Sequence, residues 1–330
     1  MNKLIPKSRG MKILFFCVVI LTVLFEAPPL RAAPLQKTNK DTRRTSSFYG
    51  KIETGITYDS NIFQSKIRDV SDQIWKARVT FTYRINKVRW TGFAIRNQYI
   101  DNSELSNTFF MVGVVRPFGS RDFGSLFLRI RPTALLDLEE RNSVPLRWKS
   151  NGFRTRYSRK LTSLLKVGLS FSYDRLDYTE GFDAKDSDLI KIGLFQNYRF
   201  KRSWYLLGEY TFEAGLARGG ASVDPNFQDD ISYRAHVGAV QVSYQWMPST
   251  SIRVRYWIRS KAYTTDLPLT VERFHPGRTD TNHLIRVGLR YKATPKVIIN
   301  TRLMYLWRNS TDPRVKYTKS IYTVSASYQF

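Results

Sequence analysis

The segment Ile321-Tyr-Thr-Val-Ser-Ala-Ser-Tyr-Gln-Phe330 decides the fold. Tyr322, Val324, Ala326, Tyr328 and Phe330 share one parity, and Thr323, Ser325, Ser327 and Gln329 share the other. Successive side chains of an extended chain point to opposite sides, so this is a strand with one apolar and one hydrated face. The same period recurs upstream. Trp75, Ala77, Val79, Phe81, Tyr83 and Ile85 oppose Lys76, Arg78, Thr80, Thr82 and Arg84. Ile252, Val254, Tyr256 and Ile258 oppose Arg253, Arg255, Trp257, Arg259 and Lys261.

Working outward from these anchors, the sequence predicts strands at 48–58, 73–85, 88–100, 107–118, 125–136, 146–157, 164–175, 189–200, from 204, 231–246, 251–262, 282–292, 297–308 and at the C-terminus. Short turns, such as Asn86-Lys87, Lys201-Arg202 and Thr294-Pro295-Lys296, alternate with longer loops at 59–72, 101–106, 137–145, 176–188, 214–230, 263–281 and 309–317. An even number of long strands with loops of alternating length is the pattern of a transmembrane antiparallel up-and-down β-barrel. A soluble sandwich needs neither strands of this length nor loops this regular. The expected count is about 14. Strands 88–100, 107–118 and 146–157 alternate poorly, so 12 and 16 stay open, and 231–246 changes phase near Ala239-Val240 as a bulge would make it do. Tyr58, Trp75, Tyr83, Trp90, Tyr99, Tyr157, Tyr173, Tyr198, Trp204, Tyr244, Trp246, Tyr291, Trp307, Tyr322 and Tyr328 fall mostly near strand ends, where two interfacial aromatic girdles would stand.

The N-terminus reads as a secretory signal over residues 1–33. Lys3, Lys7, Arg9 and Lys12 precede the apolar run Ile13–Phe25, and small residues follow at Ala32 and Ala33. Met11 opens an equally complete signal, and an uncleaved anchor is the rival reading. Residues 34–46 are polar and aperiodic, as in a disordered leader. The barrel then occupies 47–330. Cys17, the sole cysteine, lies within the signal, so a mature chain would carry no disulfide and no thiolate metal site.

The formal charge is +26. Loss of residues 1–33 removes five bases and one acid and leaves +22. Acids gather in the longer loops, whereas Glu53, Asp174, Glu209 and Glu213 are the ones inside strands. Bases dominate the polar strand faces: Lys76, Arg78, Arg84, Arg129, Arg131, Arg154, Arg156, Lys166, Lys191, Arg199, Arg253, Arg255, Arg259, Lys261, Arg286, Arg290, Lys292, Arg302 and Arg308. A basic side chain at the bilayer midplane costs about 2–4 kcal/mol, so these residues are expected to line the lumen. Two readings follow. Carboxylates, including those on infolded loops, neutralise the bases in a plugging network, or a mobile anion meets them. Arginine predominates, and its planar fork suits carboxylate and phosphate. The second reading gives an anion-selective conduit whose low-dielectric wall concentrates anions. Phe127, Phe195, Tyr205 and Trp257 fall on the same face, as sugar-stacking surfaces or as filler.

The aromatic-ended terminal strand, with Tyr328 and Phe330, resembles the signal by which bacterial outer-membrane barrels are recognised for insertion. The segment Thr57-Tyr-Asp-Ser-Asn-Ile-Phe63 resembles the opening hairpin of a broad group of such barrels. That group includes porin-like barrels associated with exopolysaccharide export and the barrel halves of surface-lipoprotein assembly modifiers. The chain lacks the helical-repeat domain of the modifiers. The resemblance implies the outer membrane of a Gram-negative bacterium with periplasmic termini. Lipid, lipopolysaccharide and the barrel-insertion machinery are then its partners. The arginine-rich lumen is similar in character, not in aligned motifs, to alginate-export and acidic-oligosaccharide channels. With the basic strand faces it leads to the expectation of a channel for an anionic polysaccharide or oligosaccharide. A small-anion uptake porin and a non-conducting assembly barrel are the alternatives. Asp59, Ser60 and Asn61 read as an Asx-type turn rather than a binding element.

His236, His275 and His283 have no metal-ligand spacing, and no nucleophile–base signature appears. The expectation is a non-enzymatic, monomeric barrel without cofactor. An exported barrel does not meet genomic nucleic acid, so the basic charge is not a nucleic-acid footprint.

Overall fold

The computed structural model describes residues 46–62, 70–118, 120–141, 144–179, 182–201, 203–218, 230–269 and 274–330, with backbone alone over 133–141 and 144–145. The signal and nearly all of the leader expected from the sequence lie outside the described residues. Fourteen strands form the chain: β1 (Ser46–Asp59), β2 (Asp72–Ile85), β3 (Val88–Tyr99), β4 (Asn107–Pro117), β5 (Asp122–Arg141), β6 (Val144–Lys160), β7 (Leu165–Tyr178), β8 (Ser187–Lys201), β9 (Trp204–Ala217), β10 (Tyr233–Met247), β11 (Thr250–Tyr263), β12 (Thr279–Lys292), β13 (Val297–Ser310) and β14 (Tyr317–Gln329). Each pairs antiparallel with its sequence neighbours, and β1 pairs with β14, so the sheet closes into an up-and-down barrel.

Closure explains the outward face. Ile52, Val79, Leu128, Leu169, Ile192, Leu194, Val254, Val287 and Val324 all face outward and are exposed. A continuous apolar belt of this extent is far larger than the patches that soluble monomers expose, and it matches a hydrocarbon solvent. Of the aromatics assigned to girdles, the strand register turns all outward except Tyr99, which shares the inner parity of β3. Tyr83, Trp90, Tyr157, Tyr198, Trp204, Tyr244, Trp246, Tyr291 and Tyr328 ring the end with the short turns. Tyr58, Trp75, Tyr173, Trp307 and Tyr322 ring the end with the longer loops. Beyond the second ring the outward face becomes charged, as with Lys149 and Asp177, 2.9 Å apart.

Two expectations about elements are corrected. The loop set at 137–145 is strand almost throughout, because β5 continues to Arg141 and β6 begins at Val144. Its pairing slips between Arg131 and Ala134 and again between Leu135 and Glu140. That irregularity breaks the period and makes the segment read as a loop. There is also no bulge at Ala239-Val240. The β10 register runs unbroken through it, and the one slip lies between Gln245 and Met247. The apparent phase change arises because Ala235, Val237 and Ala239 face inward beneath larger side chains, so both faces of β10 are apolar there.

The seam between β1 and β14 is fastened at both ends. At the short-turn end the Phe330 amide donates to the Gly50 carbonyl and the Gly50 amide to the Phe330 carbonyl, both at 3.0 Å. The Phe330 ring covers Gly50 so closely that an added Cβ would lie 2.3 Å from it. At the other end the Asn61 amide donates to Asp59 Oδ1 at 3.1 Å, which is the expected Asx turn. Lys319 Nζ donates to Asp59 Oδ2 at 2.9 Å, with both side chains buried. The Ser320 amide donates to Ser60 Oγ at 2.9 Å. The next loop is held by Asp72, whose carboxylate accepts from the amides of Ile100, Asp101 and Asn102. On the other side of the mouth, Leu146, Tyr178 and Phe182 form a small apolar core with Trp148, Leu176 and Ile231.

Removing one member of a buried ion pair leaves the other charge without compensation, at a cost of about 3–5 kcal/mol. Asp59→Ala is therefore expected to lower barrel stability by roughly that amount, and adding Lys319→Met should recover most of it. Guanidinium unfolding of the detergent-folded protein, followed by tryptophan fluorescence, measures both. Equal losses in the single and double variants would show that the pair does not hold the seam.

Candidate functional site

The candidate site is the inner wall. The pairing register places all of the predicted strand bases, from Lys76 on β2 to Arg308 on β13, on the lumen parity. It adds Lys51, Arg89, Lys160 and Lys319, which sequence reasoning missed. On β3 the signal was masked because Phe93 and Ile95 face inward while Arg96 and Gln98 face outward and bond to each other at 2.9 Å.

All four of the acids expected well inside strands are engaged. Arg129 Nη2 lies 2.6 Å from Asp174 Oδ2. Glu213, almost wholly buried, meets Lys191 at 2.9 Å and Arg259 at 2.8 Å. Glu209 meets Arg255 at 2.6 Å and Arg156 at 3.8 Å. Glu53 meets Lys51 at 2.8 Å and stands directly across from Arg78. Several of these pairs reach over an intervening strand, which requires a small residue beneath them. Arg129, Gly152 and Asp174 are in register across β5, β6 and β7. A Cβ on Gly152 would sit 2.2 Å from Asp174 Oδ1. Ala235, fully buried on β10, stands opposite Glu213 and leaves the same passage for Arg259.

Other bases lie on aromatic faces instead. The Arg78 guanidinium is 4.2 Å from the centre of the Phe93 ring. Arg131 lies over Trp148 at 4.6 Å, Arg156 over Phe195 at 4.1 Å and Lys166 over Phe123 at 4.8 Å. Lys261 sits between Tyr233 and Tyr263 at 4.1 and 3.8 Å, and Arg308 over Tyr317 at 4.7 Å. A ring face attracts a cation by about 0.5–2 kcal/mol but leaves its charge intact. The inward aromatics are thus platforms for cations as well as for any solute. Phe195 is occupied in this way. Phe127 and Tyr205 line a cavity of about 800 Å³ at the short-turn end, together with Arg84, Arg89 and Lys166. Trp257 lines a second cavity of about 240 Å³ near Arg129, Arg154, Lys191 and Arg255.

A third group has neither kind of partner. Arg253, Arg286, Arg290 and Arg302 make no ion pair among the described residues. The Arg286 side chain donates to a thioether, Met304 Sδ, at 3.0 Å. Arg255 and Arg286 stand directly opposite in adjacent strands, a like-charge placement that opposes folding.

His236 and His283 face outward, away from the lumen. Tyr210 Oη and His236 Nδ1 are 2.7 Å apart, and Tyr256 Oη and His283 Nδ1 are 2.8 Å apart. His283 also stacks on Trp307 at 4.8 Å, so both histidines belong to the outer aromatic ring. Among the described residues no group of acids, histidines or cysteines is arranged to hold a metal.

No protein-family model and no curated protein matches the chain. Solved structures do. A bacterial polysaccharide outer membrane secretin superposes with a TM-score of 0.52 at 9% identity, covering 85% of this chain and 98% of that one. The CymD monoaromatic hydrocarbon channel gives 0.52 at 8% identity, covering 86% and 88%. The outer membrane channel DcaP of Acinetobacter baumannii gives 0.50 at 10% identity, covering 90% and 100%. The chain therefore has the fold of outer-membrane channel barrels.

Gly152→Ala is expected to lower stability by about 1–3 kcal/mol, because the added methyl forces Asp174 off Arg129. Asp174→Ala should reduce that penalty when combined with it. Unfolding midpoints of the three variants check this, and a neutral Gly152→Ala would show that the pair does not depend on the glycine.

Proposed function

We propose that this barrel is an anion-selective outer-membrane channel that passes an anionic polysaccharide or oligosaccharide. One observation carries the reading: the inner wall holds far more cations than its carboxylates neutralise. Four strand acids engage Lys51, Arg129, Arg156, Lys191, Arg255 and Arg259. Arg253, Arg286, Arg290 and Arg302 make no ion pair among the described residues, an aromatic face holds Lys166 without neutralising it, and the single carboxylate of Asp280 serves Arg278 while facing Lys261. Uncompensated charge on a low-dielectric wall raises the local anion concentration and excludes cations. Inward aromatics beside arginines give a sugar-bearing anion both a stacking face and charge-assisted hydrogen bonds. The fold is compatible with export as well as uptake.

The small-anion porin is the second reading, favoured by the arginines that have no aromatic beside them. Both place the termini and short turns in the periplasm, with lipopolysaccharide around the outer ring of Tyr and Trp.

Planar-bilayer recording across a potassium chloride gradient should give a reversal potential of the sign set by chloride. A preference for potassium, or no conductance, would defeat both channel readings and leave the non-conducting structural barrel. Blockade by an acidic oligosaccharide but not by phosphate at equal charge concentration separates the polysaccharide channel from the small-anion porin.

A further inference from the structure

The inner wall repeats one geometric device and completes it only once. Arg129, Gly152 and Asp174 lie in a single register row across three strands. The glycine leaves the space through which arginine and carboxylate meet at 2.6 Å. Arg253, Gly288 and Arg302 form the same kind of row across β11, β12 and β13. Here the position of the acid is taken by a second arginine. A Cβ added at Gly288 would have Thr301 O, at 3.7 Å, as its single neighbour within 4 Å, so the space above the glycine is open.

The same glycine has Arg286 and Arg290 two residues before and after it on β12, on the same face. Strands lie about 4.8 Å apart, and alternate residues along a strand about 7 Å apart. Four arginines on the lumen face therefore border one open position, Gly288. Arg253, Arg290 and Arg302 are solvent-exposed in the lumen, and Arg286 is half-buried. The neighbours that act electrostatically on Arg286 are Arg302, Arg255 and Arg253, all cations. Lys76, reaching over Gly55 from β2, acts on Arg302 in turn. Such a cluster raises the free energy of the fold unless an anion enters it.

We infer that the Gly288 niche is a binding site for a dianionic phosphate group, free or carried on a sugar. This rests on the anion-channel reading and gives it a defined station. The chemistry selects the class. Each planar fork can present two parallel donors to a tetrahedral oxyanion, and a niche bordered by four such forks favours two negative charges over one. A monocarboxylate supplies a single charge and one plane of acceptors. The site lies in the half of the lumen nearer the short turns, since β12 ends at Lys292.

The test titrates inorganic phosphate, glucose 6-phosphate and glucuronate into the full chain in detergent, at fixed ionic strength, by calorimetry. Both phosphates should bind saturably, and glucuronate at least about tenfold more weakly. Arg302→Asp rebuilds the Arg129–Gly152–Asp174 row, so it should fold while lowering phosphate affinity at least about tenfold. Gly288→Leu fills the niche, keeps every charge and should weaken phosphate similarly. Lys149→Ala, on the outward face and away from the lumen, should leave affinity unchanged. Glucuronate binding as tightly as phosphate would overturn the assignment. So would phosphate affinity insensitive to both Arg302→Asp and Gly288→Leu. Bilayer recording of the same samples separates the two claims. Anion preference with an insensitive phosphate affinity defeats the niche alone. Cation preference with niche-dependent phosphate binding defeats the channel reading alone.

Discussion

The pairing of β1 with β14 is the constraint on which everything else depends. A sheet immersed in hydrocarbon cannot leave a row of amides and carbonyls unpaired, so the first and last strands must meet. Here the two ends of that seam are fastened by different chemistry. At one end the terminal Phe330 exchanges both backbone hydrogen bonds with Gly50 and lays its ring on the glycine. At the other, the Tyr58-Asp59-Ser60-Asn61 turn hands a carboxylate to Lys319 and a hydroxyl to the Ser320 amide. Phe330 thus has a structural task in the closed barrel. The lone base of the last strand is a clasp rather than a lumen ligand.

Once the seam fixes register, parity fixes solvent. Every residue on one parity meets lipid, and every residue on the other meets the interior. That rule sent the arginines inward, and it made them legible from sequence alone. It worked best on β2, β7, β11 and the second half of β12, where large apolar residues on one parity face polar, basic or small residues on the other. It failed where the interior is itself apolar. On β10, Ala235, Val237 and Ala239 face inward because Glu209 and Glu213 must reach Arg255 and Arg259 over them. On β3, Phe93 faces inward because Arg78 lies on it. These residues look like a broken pattern only when hydrophobicity is read one strand at a time. They serve contacts made between strands, and no single-strand period records those.

The same limit applied to charge. Counting acids against bases shows that neutralisation is incomplete, yet it does not say where. Several pairs skip a strand, so their partners are far apart in sequence: Arg129 with Asp174 past Gly152, Glu209 with Arg255 across β10. Only the register reveals that Asp174, Glu209 and Glu213 serve the sector from β5 to β11, while Glu53 and Asp59 serve the seam and Asp280 the loop end of β12.

This partition matters for how a solute would experience the lumen. Uniform neutralisation would leave a polar but featureless wall. Uniform excess would hold an anion equally everywhere. The barrel does neither: carboxylates engage cations mainly on β5 to β11, aromatic faces hold cations toward both ends of the lumen, and Arg253, Arg286, Arg290 and Arg302 on β11 to β13 make no ion pair among the described residues. On the proposed anion-channel function, an anion drawn in by the total charge would meet its strongest hold at the unpaired arginines of β11 to β13 and weaker, already satisfied cations opposite. A pathway that binds on one side and releases toward the other lets an anion enter without being trapped, because conduction needs binding strong enough to admit a solute and weak enough to let it leave.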